Sequence, residues 1–278
     1  MPSTTFTRRV AARFERETLF WRDVYRAGDV FAVIHQHRLA LALDWIDQLR
    51  LTSGTPVLDV GCGAGLAAVA LCQRGLQVVG VDPAFGMLAA AEQQAVDVRV
   101  ADRLSLCAGD GQALMFADGT FCLVVALGVL PWLHTPERAL LEMSRVLEPN
   151  GYLVLNVDNR SRLTYLLDPM ATPPLVPVRK AVRRLVEPPR PDGERPSAVR
   201  ARQHSVGQLD QLLASAGLEK LSGVTFGFGP FTLLGHKVLP GALGVALHHR
   251  LQRAATQGSH MLGATGAQYI VLARKVVT

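Results

Sequence analysis

The sequence predicts an α/β fold, with a mostly parallel sheet of seven strands and helices on both of its faces. Two observations predict this class. Five short apolar segments rich in β-branched residues alternate with helix-forming segments between residues 57 and 158. In addition, a glycine-rich turn joins the first of these segments to an apolar helix, as in sheets that bind nucleotide-like ligands. Because 49% of the 278 residues are hydrophobic, the chain can bury a large core.

The predicted elements follow one another in order along the chain. The first strand begins at Val57 and passes through three glycines in five positions, Gly61, Gly63 and Gly65, into a helix at 66–72. The run at 120–130 is continuously apolar, as expected for a strand buried on both faces. Further strands are predicted at 76–83, 103–111, 152–158, about 219–226 and 267–276. Further helices are predicted at 84–95, at 205–217, and from Thr135 to a close at Pro149 and Gly151.

Three acidic residues lie in or directly after predicted strands, at the sheet edge where open α/β sheets bind ligands. Asp59 lies inside the first strand, where a carboxylate must be hydrogen-bonded or must face a ligand. Asp82 can accept hydrogen bonds from both hydroxyls of a ribose, although it also suits a helix N-cap before Pro83. Asp110 can accept from an adenine amino group, although it also suits a turn.

The spacing of the glycine turn limits the choice of ligand. A dinucleotide fingerprint needs a third glycine where this chain has Leu66, and the Gly-Lys-Ser/Thr of a phosphate-binding loop does not follow the turn. The remaining candidate is a cofactor that contains adenosine but no phosphate groups.

Four segments resemble the class I S-adenosylmethionine-dependent methyltransferases, near the small-molecule branch of ubiquinone and menaquinone type. They are "VLDVGCGAG" at 57–65, "VVGVDPAFGML" at 78–88, "AGDGQALMFADGTFCLVVA" at 108–126 and "ALLEMSRVLEPNGYLVL" at 139–155. The resemblance implies a Rossmann-like sheet and S-adenosylmethionine as cofactor. Two positions depart from the family pattern: Cys122 stands where an aspartate is usual, and Asn150 replaces a turn glycine.

The resemblance also implies a role for individual residues. Gly61 and Gly63 would pass close to the methionine part, Asp82 would bind the ribose, and Met87 would pack on the adenine. Arg38 would pair with the methionine carboxylate. The expected cofactor-binding residues are Tyr25, Arg38, Asp59, Gly61, Gly63, Asp82, Pro83, Met87, Asp110, Gly111 and Leu127.

We expect two parts in the chain, and the resemblance suggests their arrangement. Residues 1–50 would form a helical cap over the cofactor, with Trp21, Tyr25 and Arg38 as the candidate contacts; simple amphipathic helix packing is the alternative. Residues 51–278 would form the methyltransferase domain. Inserts at about 158–204, after strand five, and 227–266, after strand six, would build the substrate side. The second insert is apolar, which favours either a pocket for a hydrophobic acceptor or a helix packed on the core.

The chemistry expected of such a site is in-line displacement of the methyl group by an oxygen, nitrogen or carbon nucleophile. This reaction needs alignment of three atoms, so a general base is optional. The candidate catalytic residues are His134, His204 and Tyr165, with a structural or rim role as the alternative for each. No metal site is expected, because the four cysteines occur singly and no C-x-x-C pair is present.

Composition bears on partners and location. The segment 179–202 has eight Lys or Arg residues against three acids but no aromatic residue, which gives little support to nucleic-acid binding. It leaves open an acceptor with a phosphate or carboxylate group, or contact with a membrane surface or carrier protein. Without a signal peptide pattern or a long apolar run, we expect a cytoplasmic protein.

The predicted acceptor is therefore a small hydrophobic metabolite, of natural-product, quinone, isoprenoid or lipid type. Two alternatives stay open at this stage. One is a methyltransferase that acts on nucleic acid or protein, and the other is a protein that binds S-adenosylmethionine without transferring its methyl group. The oligomeric state is not predicted.

Overall fold

A computed structural model describes residues 5–168, 175, 201–233 and 236–276. Its central sheet has the strand order β3-β2-β1-β4-β5-β10-β7, and a short strand, β6, pairs with β5. The strands are β1 (Pro56–Val60), β2 (Gln77–Asp82), β3 (Leu104–Ala108), β4 (Phe121–Ala126), β5 (Leu147–Asn159), β6 (Gln203–His204), β7 (Leu218–Phe226), β8 (Thr232–Leu233), β9 (His236–Lys237) and β10 (Gln268–Lys275). β1 to β6 pair in parallel, and β10 is antiparallel to both of its neighbours.

Helices precede and connect these strands. They are α1 (Thr5–Arg16), α2 (Thr18–Asp23), α3 (Val30–Gln48), α4 (Leu66–Cys72), α5 (Phe85–Asp97), α6 (Pro136–Val146), α7 (Leu163–Leu167), α8 (Val206–Ser215), α9 (Gly241–Thr256) and α10 (His260–Ala264). Apolar side chains form two large buried clusters, one on each face of the sheet, as the continuous apolar runs of its central strands require. No helix among the described residues is long and apolar enough to span a membrane.

The predicted α/β class is confirmed, and three details differ from the prediction. The sheet has eight strands rather than seven, because β6 adds a two-residue strand that is too short to show an apolar pattern. β5 begins at residue 147 rather than 152, since Leu147 already pairs with Phe121. β4 ends at Ala126 rather than near 130, because Gly128 turns the chain with a φ of +78°.

The two inserts differ in how much of each is described. Most of the predicted basic segment 179–202 lies outside the described residues. Only its residues 201 and 202 are described. The second insert contains the β8–β9 pair and the helices α9 and α10. α9 packs against α3, and its buried His248 accepts a hydrogen bond from the backbone N–H of Phe228 through Nδ1, at 3.1 Å. This helix therefore packs against the N-terminal part of the chain.

Candidate active site

The glycine turn between β1 and α4 has the backbone conformation that its sequence predicts. Gly61, Gly63 and Gly65 have φ values of +64°, +53° and +84°, a region that side chains other than glycine rarely adopt. A Cβ atom on Gly65 would also lie 2.6 Å from the Cβ of Ala91 on α5. The turn therefore requires glycine at residue 65, both for its conformation and for the close packing of α4 on α5.

Asp82 joins the end of β2 to this turn. Its Oδ2 accepts a hydrogen bond from the backbone N–H of Gly63 at 3.0 Å, and its Oδ1 accepts one from Ala84 at 2.9 Å. Burial raises the pKa of Asp82 to about 6, and the two backbone hydrogen bonds oppose that rise. A single carboxylate thus fixes the glycine turn and the start of α5 relative to each other.

Asp59 lies on β1 below the turn and is more deeply buried. Its Oδ2 has no hydrogen-bond partner among the described residues. Burial and, to a smaller extent, the nearby charge of Asp82 together raise the pKa of Asp59 to about 7. A buried carboxylate oxygen without a partner is costly, so its position beside a cavity favours a cationic ligand group.

One cavity of about 370 Å³ lies at the carboxyl edge of the sheet. Every residue that the sequence predicted to bind the cofactor lines it: Tyr25, Arg38, Asp59, Gly61, Gly63, Asp82, Pro83, Met87, Asp110, Gly111 and Leu127. The structure therefore brings these positions together, although they come from the N-terminal helices and from the ends of four different strands.

Arg38 lies on α3 and is almost fully buried. Its Nη2 donates to the hydroxyl of Tyr25 at 3.0 Å, and its Nε has no hydrogen-bond partner among the described residues. A Cβ atom on Gly128 would lie 2.7 Å from Nη1, so the glycine lets the guanidinium approach the backbone after β4. The cavity thus has a buried cation with a free donor, which suits a carboxylate.

The carboxylate of Asp110 connects the N-terminal helix to the loop after β3. Its Oδ1 accepts from the backbone N–H of Gln112 at 3.0 Å, and its Oδ2 accepts from the hydroxyl of Thr7 at 2.9 Å. Thr7 lies on α1 and also lines the cavity. α1 therefore covers the part of the cavity that contains Asp110 and Gly111.

Aromatic side chains form part of the cavity wall. Ring centroids are 5.3 Å apart for Phe14 and Trp132, and 5.7 Å apart for Trp21 and His35. His35 is buried, its Nδ1 lies 2.8 Å from the carbonyl oxygen of Phe31, and burial lowers its pKa to about 3, so the ring is neutral. The six aromatic residues that line the cavity are Phe14, Trp21, Tyr25, Phe31, His35 and Trp132.

The three predicted catalytic residues are not among those that line the cavity. His134 is exposed, with its Nδ1 3.1 Å from the hydroxyl of Thr135. His204 is half-buried on β6, and burial lowers its pKa. Tyr165 accepts a hydrogen bond from the side chain of Gln203. A catalytic role for each of them stays a prediction.

The cavity also contains polar residues that the sequence did not single out as ligands. Asp158, at the end of β5, and Arg162, in the turn after it, both line the cavity, as does Gln268 at the start of β10. The alternation of side chains along a strand would have placed Asp158 on the same face as Asn156. Without the strand's exact bounds and partners, the sequence did not show which face points to the cavity.

Comparisons with known proteins find a family match and related sequences. Residues 58–155 match the family described as "Methyltransferase domain". The chain is 32% identical over 155 residues to the ubiquinone biosynthesis O-methyltransferase of Pseudomonas paraeruginosa, a match that covers 56% of this chain and 65% of that protein. It is 36% identical over 110 residues to the demethylmenaquinone methyltransferase of Renibacterium salmoninarum, covering 40% and 44%.

A solved structure extends the likeness of the fold over almost the whole chain. The magnesium protoporphyrin IX methyltransferase of Synechocystis PCC 6803, crystallised with bound SAH, superposes with a TM-score of 0.65 at 18% identity and covers 97% of this chain and 99% of that one. The family match is therefore confined to residues 58–155, and the likeness to the solved structure at 18% identity shows a shared fold. The chain spans less than two thirds of the length of the curated relatives named above.

Proposed function

We propose that the protein transfers the methyl group of S-adenosylmethionine to a small acceptor with an apolar body. The observation that carries the proposal is the cavity at the carboxyl edge of the sheet, which is lined by all eleven predicted cofactor residues and by further aromatic rings. The methyl group of a sulfonium is already activated, so the protein's contribution is alignment of the reacting atoms and exclusion of water.

The residues of the cavity suit the parts of this cofactor. We expect Asp82 and Asp110 to bind the ribose and the adenine edge, since both line the cavity together with the buried Met87. Arg38 offers an unpaired Nε–H to the methionine carboxylate, while the unpartnered oxygen of Asp59 suits the positively charged end of the molecule. Charge complementarity at both ends supports S-adenosylmethionine over an uncharged adenosine derivative.

The aromatic wall supports an acceptor that is flat and apolar. Phe14, from the N-terminal helices, contacts both Trp21 and Trp132, with ring centroids 5.8 and 5.3 Å apart. Quinone-type acceptors fit this wall, and the two relatives named above act in ubiquinone and menaquinone synthesis by their names. Acceptors of natural-product, isoprenoid or lipid type also have an apolar body and are compatible with this wall. Contact with a membrane or a carrier protein through segment 179–202 remains a prediction.

Methyl transfer with a radiolabelled donor tests this proposal. Tritiated S-adenosylmethionine would be incubated with the protein and small apolar acceptors, such as 2-naphthol and the quinol of menadione, and in parallel with total RNA and with denatured protein. We expect label in the organic extract only. Label in the RNA or protein precipitate would instead support a macromolecular substrate. Tight binding of the donor without label in any fraction would support a binding protein without transfer activity.

A further inference from the structure

Asp158 and Arg162 are two charged residues that face each other at the wall of the cavity. Nη2 of Arg162 lies 3.8 Å from Oδ2 of Asp158, which is too far for a hydrogen bond. Among the described residues, neither side chain donates or accepts any hydrogen bond. The guanidinium of Arg162 and the carboxylate of Asp158 thus lie close together at the cavity, and neither forms a hydrogen bond with a described residue.

Burial makes this unused capacity costly. The side chains of Asp158 and Arg162 are only 24% and 20% exposed, and the Nε of Arg162 is buried without a partner. The guanidinium is held by its position 4.6 Å from the centre of the Tyr165 ring, a contact that uses none of its N–H groups. A buried charged atom without a hydrogen bond destabilises a fold, so the Nε of Arg162 favours a ligand as its partner, while the partly exposed carboxylate of Asp158 is accessible to the same ligand.

The strand β5 places this pair on the cofactor side of the cavity. Asn156 and Asp158 are two residues apart and therefore point to the same face. Oδ1 of Asn156 accepts a hydrogen bond from the backbone N–H of Gly128 at 2.7 Å, and Gly128 packs against the guanidinium of Arg38. Asp158 is consequently near Arg38, the residue proposed to bind the methionine carboxylate.

We propose that Asp158 and Arg162 bind the polar end of the methyl acceptor, with Asp158 accepting a hydrogen bond from the hydroxyl that is methylated and Arg162 donating to an oxygen beside it. This inference rests on the proposed function and defines the nucleophile as oxygen. As the oxygen–carbon bond forms, the carbon–sulfur bond breaks and its electron pair stays on sulfur. The hydroxyl proton passes to the carboxylate of Asp158, which later releases it to water. The products are a methyl ether and S-adenosylhomocysteine.

The charges around Asp158 suit a proton acceptor. Burial raises the pKa of this carboxyl, while three positively charged or titratable side chains lower it: Arg162 in the next turn, Arg38 on α3 and His204 on β6. A carboxylate whose pKa lies above its ordinary value is a stronger base. His204 therefore has a place in this account as a neighbour of the base rather than as the base itself.

Binding of simple aromatic alcohols to the protein saturated with S-adenosylhomocysteine tests the subsite without knowledge of the natural acceptor. The probes are 2,3-dihydroxynaphthalene, with two neighbouring oxygens, and 2-methoxynaphthalene, which cannot donate a proton. In the unaltered protein we expect the first to bind at least tenfold more tightly, measured by calorimetry. Asp158→Asn and Arg162→Gln should each remove most of that preference. Arg160→Gln removes an exposed arginine of the same turn and should leave the preference unchanged.

The outcomes separate this inference from the proposed function. If the unaltered protein fails to bind S-adenosylhomocysteine, the proposed function fails as well. If it binds S-adenosylhomocysteine but does not distinguish the two probes, or if both variants keep the preference, the subsite is wrong and the proposed function stands. Binding of S-adenosylhomocysteine by both variants shows that they are folded. Transfer of label to 2,3-dihydroxynaphthalene should fall at least 100-fold in Asp158→Asn, beyond its loss in binding.

Discussion

Asp59→Asn is expected to stabilise the ligand-free protein while it weakens cofactor binding. The pKa of Asp59 is raised from 3.8 to about 7, and each unit corresponds to about 1.4 kcal/mol. Holding this carboxylate ionised in the fold at pH 8 therefore costs up to about 4 kcal/mol. Asparagine has almost the same shape and no charge, but its amide donors lack partners, which costs about 1–3 kcal/mol. We expect a net gain of about 1–3 kcal/mol in the free energy of unfolding.

The stability difference between the unaltered protein and Asp59→Asn should depend on pH. Between the unfolded pKa of 3.8 and the folded pKa of about 7, the folded protein binds the proton more strongly than the unfolded chain does. The stability of the unaltered protein should therefore fall as pH rises from 5 to 8. Asp82, whose pKa is raised to about 6, contributes in the same direction. The variant should lose part of this slope, so its advantage should be largest at pH 8 and small at pH 5.

Urea unfolding of ligand-free protein at pH 5, 6, 7 and 8 would measure the difference in the free energy of unfolding. Calorimetry with S-adenosylmethionine at pH 8 would measure the loss of binding, which we expect to be tenfold or more. A conservative control is Asp102→Asn, which changes an exposed aspartate just before β3. The reasoning is refuted if Asp59→Asn is less stable than the unaltered protein at pH 8, or if the difference between them does not vary with pH.

Three further predictions concern the turn, the buried cation and the N-terminal helices. Gly65→Ala should lower the free energy of unfolding by at least about 2 kcal/mol, because of its positive φ and the 2.6 Å approach to Ala91. Arg38→Gln should weaken S-adenosylhomocysteine binding at least tenfold in calorimetry, because the ligand carboxylate loses its cation. Phe14→Ala removes ring contacts to Trp21 and Trp132, so limited trypsin digestion should cleave residues 5–26 faster.

Matched controls separate these effects from general damage. Gly207→Ala adds the same atom where nothing lies within 4 Å and should change stability little. Arg8→Gln removes an exposed arginine of α1 and should leave ligand affinity unchanged. Phe20→Ala truncates a more exposed ring beside Trp21. Trypsin should therefore cleave residues 5–26 more slowly in this variant than in Phe14→Ala. Equal effects in a variant and its control would show that the proposed contact is not the cause.

The part of the cavity around the glycine turn could be predicted, because short local patterns in the sequence determine its structure. Gly61, Gly63 and Asp82 lie within or next to one strand-turn-helix unit, where the backbone conformation and the position at the sheet edge follow from a few neighbouring residues. Asp59 stood out because a carboxylate inside an apolar strand needs an explanation. Resemblance to a family added Arg38, which no local pattern ties to the sheet.

The acceptor side could not be predicted in the same way, because it depends on contacts between distant parts of the chain. The Asp158–Arg162 pair is distinguished by hydrogen bonds that it does not make, which only the fold shows. His134 follows β4 closely in sequence, yet its side chain is exposed and lies outside the cavity lining. Position along the chain after a strand thus located the edge of the sheet but did not determine which side chains point into the cavity.

Calorimetric titration of ligand-free protein with S-adenosylmethionine tests the central claim most directly, with Asp82→Ala as its comparison. We expect one binding site with a dissociation constant in the micromolar range, and a loss of at least 100-fold in the variant, in which circular dichroism still shows a folded chain. Absence of binding by the unaltered protein, folded and free of carried-over ligand, would contradict the assignment of the cavity. Equal binding by Asp82→Ala would instead contradict the placement of the cofactor within it.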